Sequence, residues 1–233
     1  MGFHWSERFL WIHVAGLAVL PITLAICLLG LAVGDPVFPT WLELLLVGGV
    51  GIAPILYMQW QRPFYIFSIL VVALNPEQLT LDQQRLLSLF KAKEARLWTV
   101  LATLVSVLAL GMLYQLAPIA GGNPGLPLGG RSFGLLVAAG AFLFSNLFFQ
   151  VPLSALRLLL VKEARILATV PYPVNQIKQN FTLLGLQVKQ ILPSPEIQRA
   201  SSSSSPEPPV ETQSTAPAGT ITHRATAPEQ SQQ

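Results

Sequence analysis

Four long apolar runs, arranged as two pairs, organise this chain. Residues 9–34 contain no formal charge, and they exceed the about 20 residues that cross a hydrocarbon core. A cleavable signal peptide would have an apolar stretch of only about 7 to 15 residues, so the run reads as a first membrane-spanning helix, over about 9–33. Pro21 near its middle removes a backbone donor and predicts a kink. A short loop, Gly34-Asp35-Pro36-Val37-Phe38-Pro39-Thr40, leads to a second span over 41–60, framed by Trp41 and Trp60 as in an interfacial aromatic belt. A third span covers 97–120. After the Gly/Pro-rich stretch 121–130, a fourth covers 132–156, with Pro152 as a second kink.

Between the pairs the pattern changes. Residues 63–74 are apolar and aromatic but too few to span unaided. Because Arg62 separates them from the second run, they read as an interfacial or re-entrant helix; the alternative is a second span shifted to end near Leu74. From Leu79 to Lys93, apolar Leu79, Leu86, Leu87, Leu89 and Phe90 interleave with Asp82, Gln83, Gln84, Arg85 and Lys91 at helical spacing, which predicts an amphipathic surface helix. Another apolar-periodic piece lies over 177–192. The expected fold is therefore an all-α polytopic membrane protein of four transmembrane helices with interfacial and cytoplasmic amphipathic helices. It occupies 1–192 as one integral domain.

The remainder, 193–233, has five consecutive serines and seven prolines with almost nothing apolar to bury. Such a tail cannot offset its ordering entropy and is expected to be disordered.

Composition supports the membrane class: 52% of the 233 residues are hydrophobic, 11% are charged, and the mean hydropathy is +0.55, against about 25% charged in a soluble domain. The net charge of +3 does not indicate nucleic acid, because the cations flank apolar runs and form no patch interleaved with aromatics. Their placement indicates orientation instead. Of fourteen Lys and Arg residues, twelve lie in the N-terminus, the 62–96 connector or the segment from 157 to 199. Arg131 stands by itself in the opposite loops, so the positive-inside rule places both termini in the cytoplasm.

Chemistry-bearing residues are few. Cys27, the sole cysteine, admits no intrachain disulfide, and the large Ile26 before it spoils a lipobox, so a buried thiol acting as a small hydrophobe is expected. Gly49 with Ala53, and Gly30 with Gly34, form small-xxx-small pairs suited to close packing within a hairpin or across a dimer seam. On the fourth span Asn146, Gln150, Ser154 and Arg157 recur every three or four residues and share one face. Either they line a solute path or they hydrogen-bond between helices; no carboxylate is expected opposite them, since Glu43 lies near the other interface. His13, about a turn into the first span, has the chemistry of an axial ligand to haem iron or chlorophyll magnesium, but no second histidine stands where it could complete a bis-histidine site. The motifs H-E-x-x-H and G-x-S-x-G and the P-loop pattern are all missing. No catalytic, cofactor or metal residues are expected.

Phe9-Leu10-Trp11-Ile12-His13, Gly34-Asp35-Pro36, Arg62-Pro63-Phe64-Tyr65-Ile66-Phe67, Leu74-Asn75-Pro76-Glu77-Gln78-Leu79 and Leu184-Gly185-Leu186-Gln187-Val188-Lys189 resemble the cyanobacterial low-complexity-tail membrane proteins over about residues 5–193. The resemblance implies a bacterial inner or thylakoid membrane and carries no catalytic signature. The expected function is a non-enzymatic accessory or assembly factor whose partners are the bilayer and other membrane proteins. The alternative is a homo-oligomeric small-solute transporter or channel.

Overall fold

The computed structural model describes residues 3–69, 72–121, 130–183 and 185–189; the tail expected over 193–233 lies outside them. Four helices are long and apolar enough to cross a membrane: Arg8–Leu31, Thr40–Gln61, Glu94–Ala120 and Gly130–Leu159. They are close to the expected spans. The first is composite, with α1 (Arg8–Ala15) joined to α2 (Leu20–Leu31) by a 3-10 turn, Gly16–Val19. Pro21 explains this break. It has no N–H to give the Leu17 carbonyl, and the tightened turn lets the Leu20 N–H bond that oxygen instead. The others are α3 (Thr40–Gln61), α5 (Lys93–Ala120) and α6 (Gly130–Leu159), with α4 (Leu81–Phe90) in the connector.

Helix α6 is the hub of the bundle. It packs along α1 and α2 on one side and α3 on another, while α5 runs along the outer seam. The closest approach is between α2 and α6: a Cβ added to Gly30 would lie 2.8 Å from both Ala138 N and Gly134 O, and one added to Gly134 would lie 2.5 Å from Gly30 O. Only glycine lets the two backbones meet. Gly30 therefore serves a contact between the first and fourth spans, and not the hairpin of spans one and two. Its expected partner Gly34 belongs to the turn after α2, with φ of +64°, and a Cβ on Gly49 would meet nothing within 4 Å.

At the basic end of the bundle the chain builds a cap. Residues 63–74, expected to be helical, instead supply two strands, β1 (Ser68–Ile69) and β2 (Val72–Leu74). The pair is antiparallel, with Ser68 opposite Ala73. A third strand, β3 (Leu186–Val188), runs parallel to β2, with Ala73 opposite Gln187, and the Phe64–Thr182 bridge extends the pairing. An aromatic, β-branched run such as Phe64-Tyr65-Ile66-Phe67-Ser68-Ile69 suits a buried strand at least as well as a short helix.

The amphipathic helix α4 forms as expected, and Thr80 and Gln83 close its N-terminus as a capping box. With α7 (Glu163–Leu167) and α8 (Val174–Asn180) it encloses a core that includes Phe9, Tyr65, Phe67, Leu86, Leu158, Ile177 and Phe181. The rings pack edge to face, with Phe9 and Phe67 centroids 5.6 Å apart and Tyr172 and Phe181 5.3 Å apart. Arg157 donates to the Leu89 carbonyl at 2.6 Å, securing the end of α4 to the last turn of α6.

Candidate functional site

The end of the bundle away from the cap holds the densest electrostatic arrangement. Glu43, in the first turn of α3, and Arg131, in the first turn of α6, are both buried and form an ion pair. Arg131 Nε donates to Glu43 Oε1 at 3.0 Å, and a second guanidinium nitrogen bonds Glu43 Oε2. The Tyr114 hydroxyl on α5 donates to the same carboxylate at 2.9 Å. The remaining arm of Arg131 reaches the Leu31 and Val33 carbonyls, where the first span ends and backbone acceptors would otherwise lack partners. One guanidinium and one carboxylate thus tie all four spans together. The pairing is forked and planar, the geometry at which arginine excels.

Sequence reasoning placed Glu43 at this interface but left Arg131 in a loop by itself; the structure puts Arg131 inside α6 and opposite Glu43. A signal was available. Each is the ionisable side chain nearest the start of its own span, and both spans enter from the same side of the bundle, so unlike charges at matching depth should have been paired. A cavity of about 310 Å³ lies beside the clasp, lined by residues including Asp35, Tyr114, Pro118 and Arg131.

The polar stripe on the fourth span turns inward. Asn146 and Gln150 are 1% and 2% exposed, and Ser154 and Arg157 are half-buried. Their bonds are largely local: Asn146 Nδ2 donates to Phe142 O at 3.0 Å and Ser154 Oγ to Gln150 O at 2.8 Å. Ser145, beside the stripe, bridges to Thr23 on the first span at 2.9 Å. Asn146 Oδ1, both amide atoms of Gln150 and Nε2 of Gln59 on α3 have no hydrogen-bond partner among the described residues. Two smaller cavities flank this line. One of about 70 Å³ adjoins Ser106, Ser145 and Asn146; the other, about 50 Å³ at the cap end, adjoins Gln59, Thr99 and Ser154.

His13 is half-buried, its Nδ1 2.7 Å from the Phe9 carbonyl and its ring edge-on to Phe64. Cys27 is fully buried in the bundle core. Among the described residues no group of three or more His, Cys, Asp or Glu side chains is placed to hold a metal ion. The tetrads Lys93-Glu94-Ala95-Arg96 and Lys162-Glu163-Ala164-Arg165 are brought together at the cap, where Arg165 pairs with Glu94 at 2.6 Å on the open surface.

Four bilayer-length helices knitted by an internal ion pair, with a folded cap at one end, define a polytopic helical membrane protein. More narrowly, the chain belongs to the low-complexity tail membrane protein-like family, whose model matches residues 6–193. No curated protein and no solved structure matches it.

Proposed function

We propose that the protein is a non-enzymatic accessory or assembly factor of a membrane complex, seated in a bacterial inner or thylakoid membrane with its cap and both termini in the cytoplasm. The orientation rests on the cations, which crowd the cap end. The observation that carries the functional reading is the cap itself. Its edge strand β3 has no strand beyond it among the described residues, and Leu186 on that edge is 77% exposed. An open strand edge with a projecting leucine is suited to adding a strand from another protein.

The bundle's chemistry agrees with a holding role, because the Glu43 carboxylate is already engaged by Arg131 and the Tyr114 hydroxyl in tying spans together. A photo-crosslinking residue at position 186 tests the reading in native membranes. A discrete adduct to one other membrane protein, abolished by Gln187→Pro in the strand, is the expected result; adducts only to a second copy of the chain would contradict it.

A second reading, a homo-oligomeric transporter or channel for small solutes, is favoured by the unpartnered amides of Gln59, Asn146 and Gln150. Buried amides without partners are costly unless water or a ligand satisfies them. Solute flux in vesicles that falls when Asn146 or Gln150 is changed to Leu would support it over the first.

A further inference from the structure

The 50 Å³ cavity at the cap end has an unusual lining. It lies where α3 ends and α5 begins, at the level of Trp60, and includes Gln59, Lys91, Ala92, Arg96, Thr99 and Ser154. Among the described residues no carboxylate lines it. Gln59 is 8% exposed and its Nε2 donor has no partner among the described residues. Arg96 stacks over Trp60 with 5.4 Å between guanidinium carbon and ring centroid, and makes no hydrogen bond or ion pair among the described residues. Lys91 Nζ lies 3.4 Å from the Tyr172 hydroxyl and over the Tyr172 and Phe181 rings, which fixes the ammonium while leaving donors to spare. Ala92, the N-cap of the 28-residue helix α5, provides no side-chain cap, so the positive end of that helix also faces this corner.

Two hydroxyls have the opposite polarity. Thr99 and Ser154 spend their protons on the Ala95 and Gln150 carbonyls, at 3.1 and 2.8 Å. Toward the cavity their oxygens can only accept. The corner therefore combines cations and an amide donor, which ask for an anion, with two acceptors, which ask for a hydroxyl.

We infer that this corner binds the headgroup of an anionic phospholipid that also carries hydroxyls, of the phosphatidylglycerol class. The phosphodiester meets Lys91, Arg96 and the Gln59 amide, and the headgroup hydroxyls donate to Thr99 and Ser154. Acyl chains would continue along the exposed apolar surface of α5, where Leu97, Leu101 and Leu104 are at least half exposed. Basic pockets between spans at the headgroup level are a recurrent form of lipid recognition. The site stands apart from the accessory role proposed above and does not depend on it.

Native mass spectrometry of the full chain in detergent, titrated separately with phosphatidylglycerol, phosphatidic acid, phosphatidylcholine and inorganic phosphate, tests it. Phosphatidylglycerol is expected to bind best. Lys91→Gln with Arg96→Gln should weaken it on the order of tenfold, while Thr99→Val should remove its advantage over phosphatidic acid and leave phosphatidic acid binding unchanged. A control, Lys178→Gln on α8, should change nothing. Equal binding of phosphatidylcholine, an unchanged affinity in the double variant, or inorganic phosphate competing at the same concentration as the lipid would each overturn the proposal.

Discussion

The cap and the bundle are two parts of one chain held together by different forces. The cap buries aromatic and branched side chains against one another, Phe9 on Phe67 and Tyr172 on Phe181, as a water-soluble core does. In the bundle the surrounding lipid is as apolar as the side chains, and burying leucine gains little. The helices there meet through glycines at one level and through a forked ion pair at another. The contrast teaches where each kind of substitution should matter: large-to-small changes in the cap, and added methyls or removed charges in the bundle.

The largest effect expected of a single change in the cap is that of Phe67→Ala, which empties a fully buried ring site and should cost about 3–5 kcal/mol. Denaturant unfolding in detergent would read it. The same truncation of a lipid-facing residue, Phe144→Ala, with the ring 54% exposed, should change little; equal losses at the two sites would break the contrast.

Next in size is a test with glycines. Gly30→Ala forces a methyl to within 2.8 Å of the α6 backbone and should cost about 1–3 kcal/mol. Gly49→Ala, on the same class of helix but with open space at its Cβ, should be neutral or gain up to about 1 kcal/mol through helix propensity. A matching loss at Gly49 would mean that another surface packs there.

The smallest effect is a pH dependence confined to the cap. Burial raises the Glu7 carboxyl above its ordinary range despite a hydrogen bond from Gln83. The folded state thus binds a proton more tightly than the unfolded one, so stability declines as pH rises from the ordinary carboxylate pKa through the raised one. Glu7→Gln should flatten that decline, as judged by midpoints between pH 4 and pH 7, a window of about three units around the carboxylate range.

Much of this was legible in the letters. Span lengths, the Pro21 break and the amphipathic α4 follow from local periodicity and from proline's missing donor, which need no tertiary partner to be read. The 63–74 segment was misread because a short apolar run fits either a helix or a strand, and what decides it is β3, more than a hundred positions further on. The Asn146 and Gln150 face was visible from its spacing. Gln59, which shares a cavity with Ser154 of that face, was not, since a lone amide near a span's end has no pattern to betray it. Nor could the sequence reveal that α6 separates the first two spans; adjacency in the chain suggested that they packed together.

The central claim is that Glu43 and Arg131 clasp the four spans from inside. A double-mutant cycle with Glu43→Gln, Arg131→Met and both together, followed by denaturant unfolding in detergent, addresses it directly. Each single variant should lose about 3–5 kcal/mol by stranding a buried partner, and the double variant should recover at least about 2 kcal/mol of the summed loss. Losses that simply add, to within about 0.5 kcal/mol, would show that the two residues act independently and that no clasp exists.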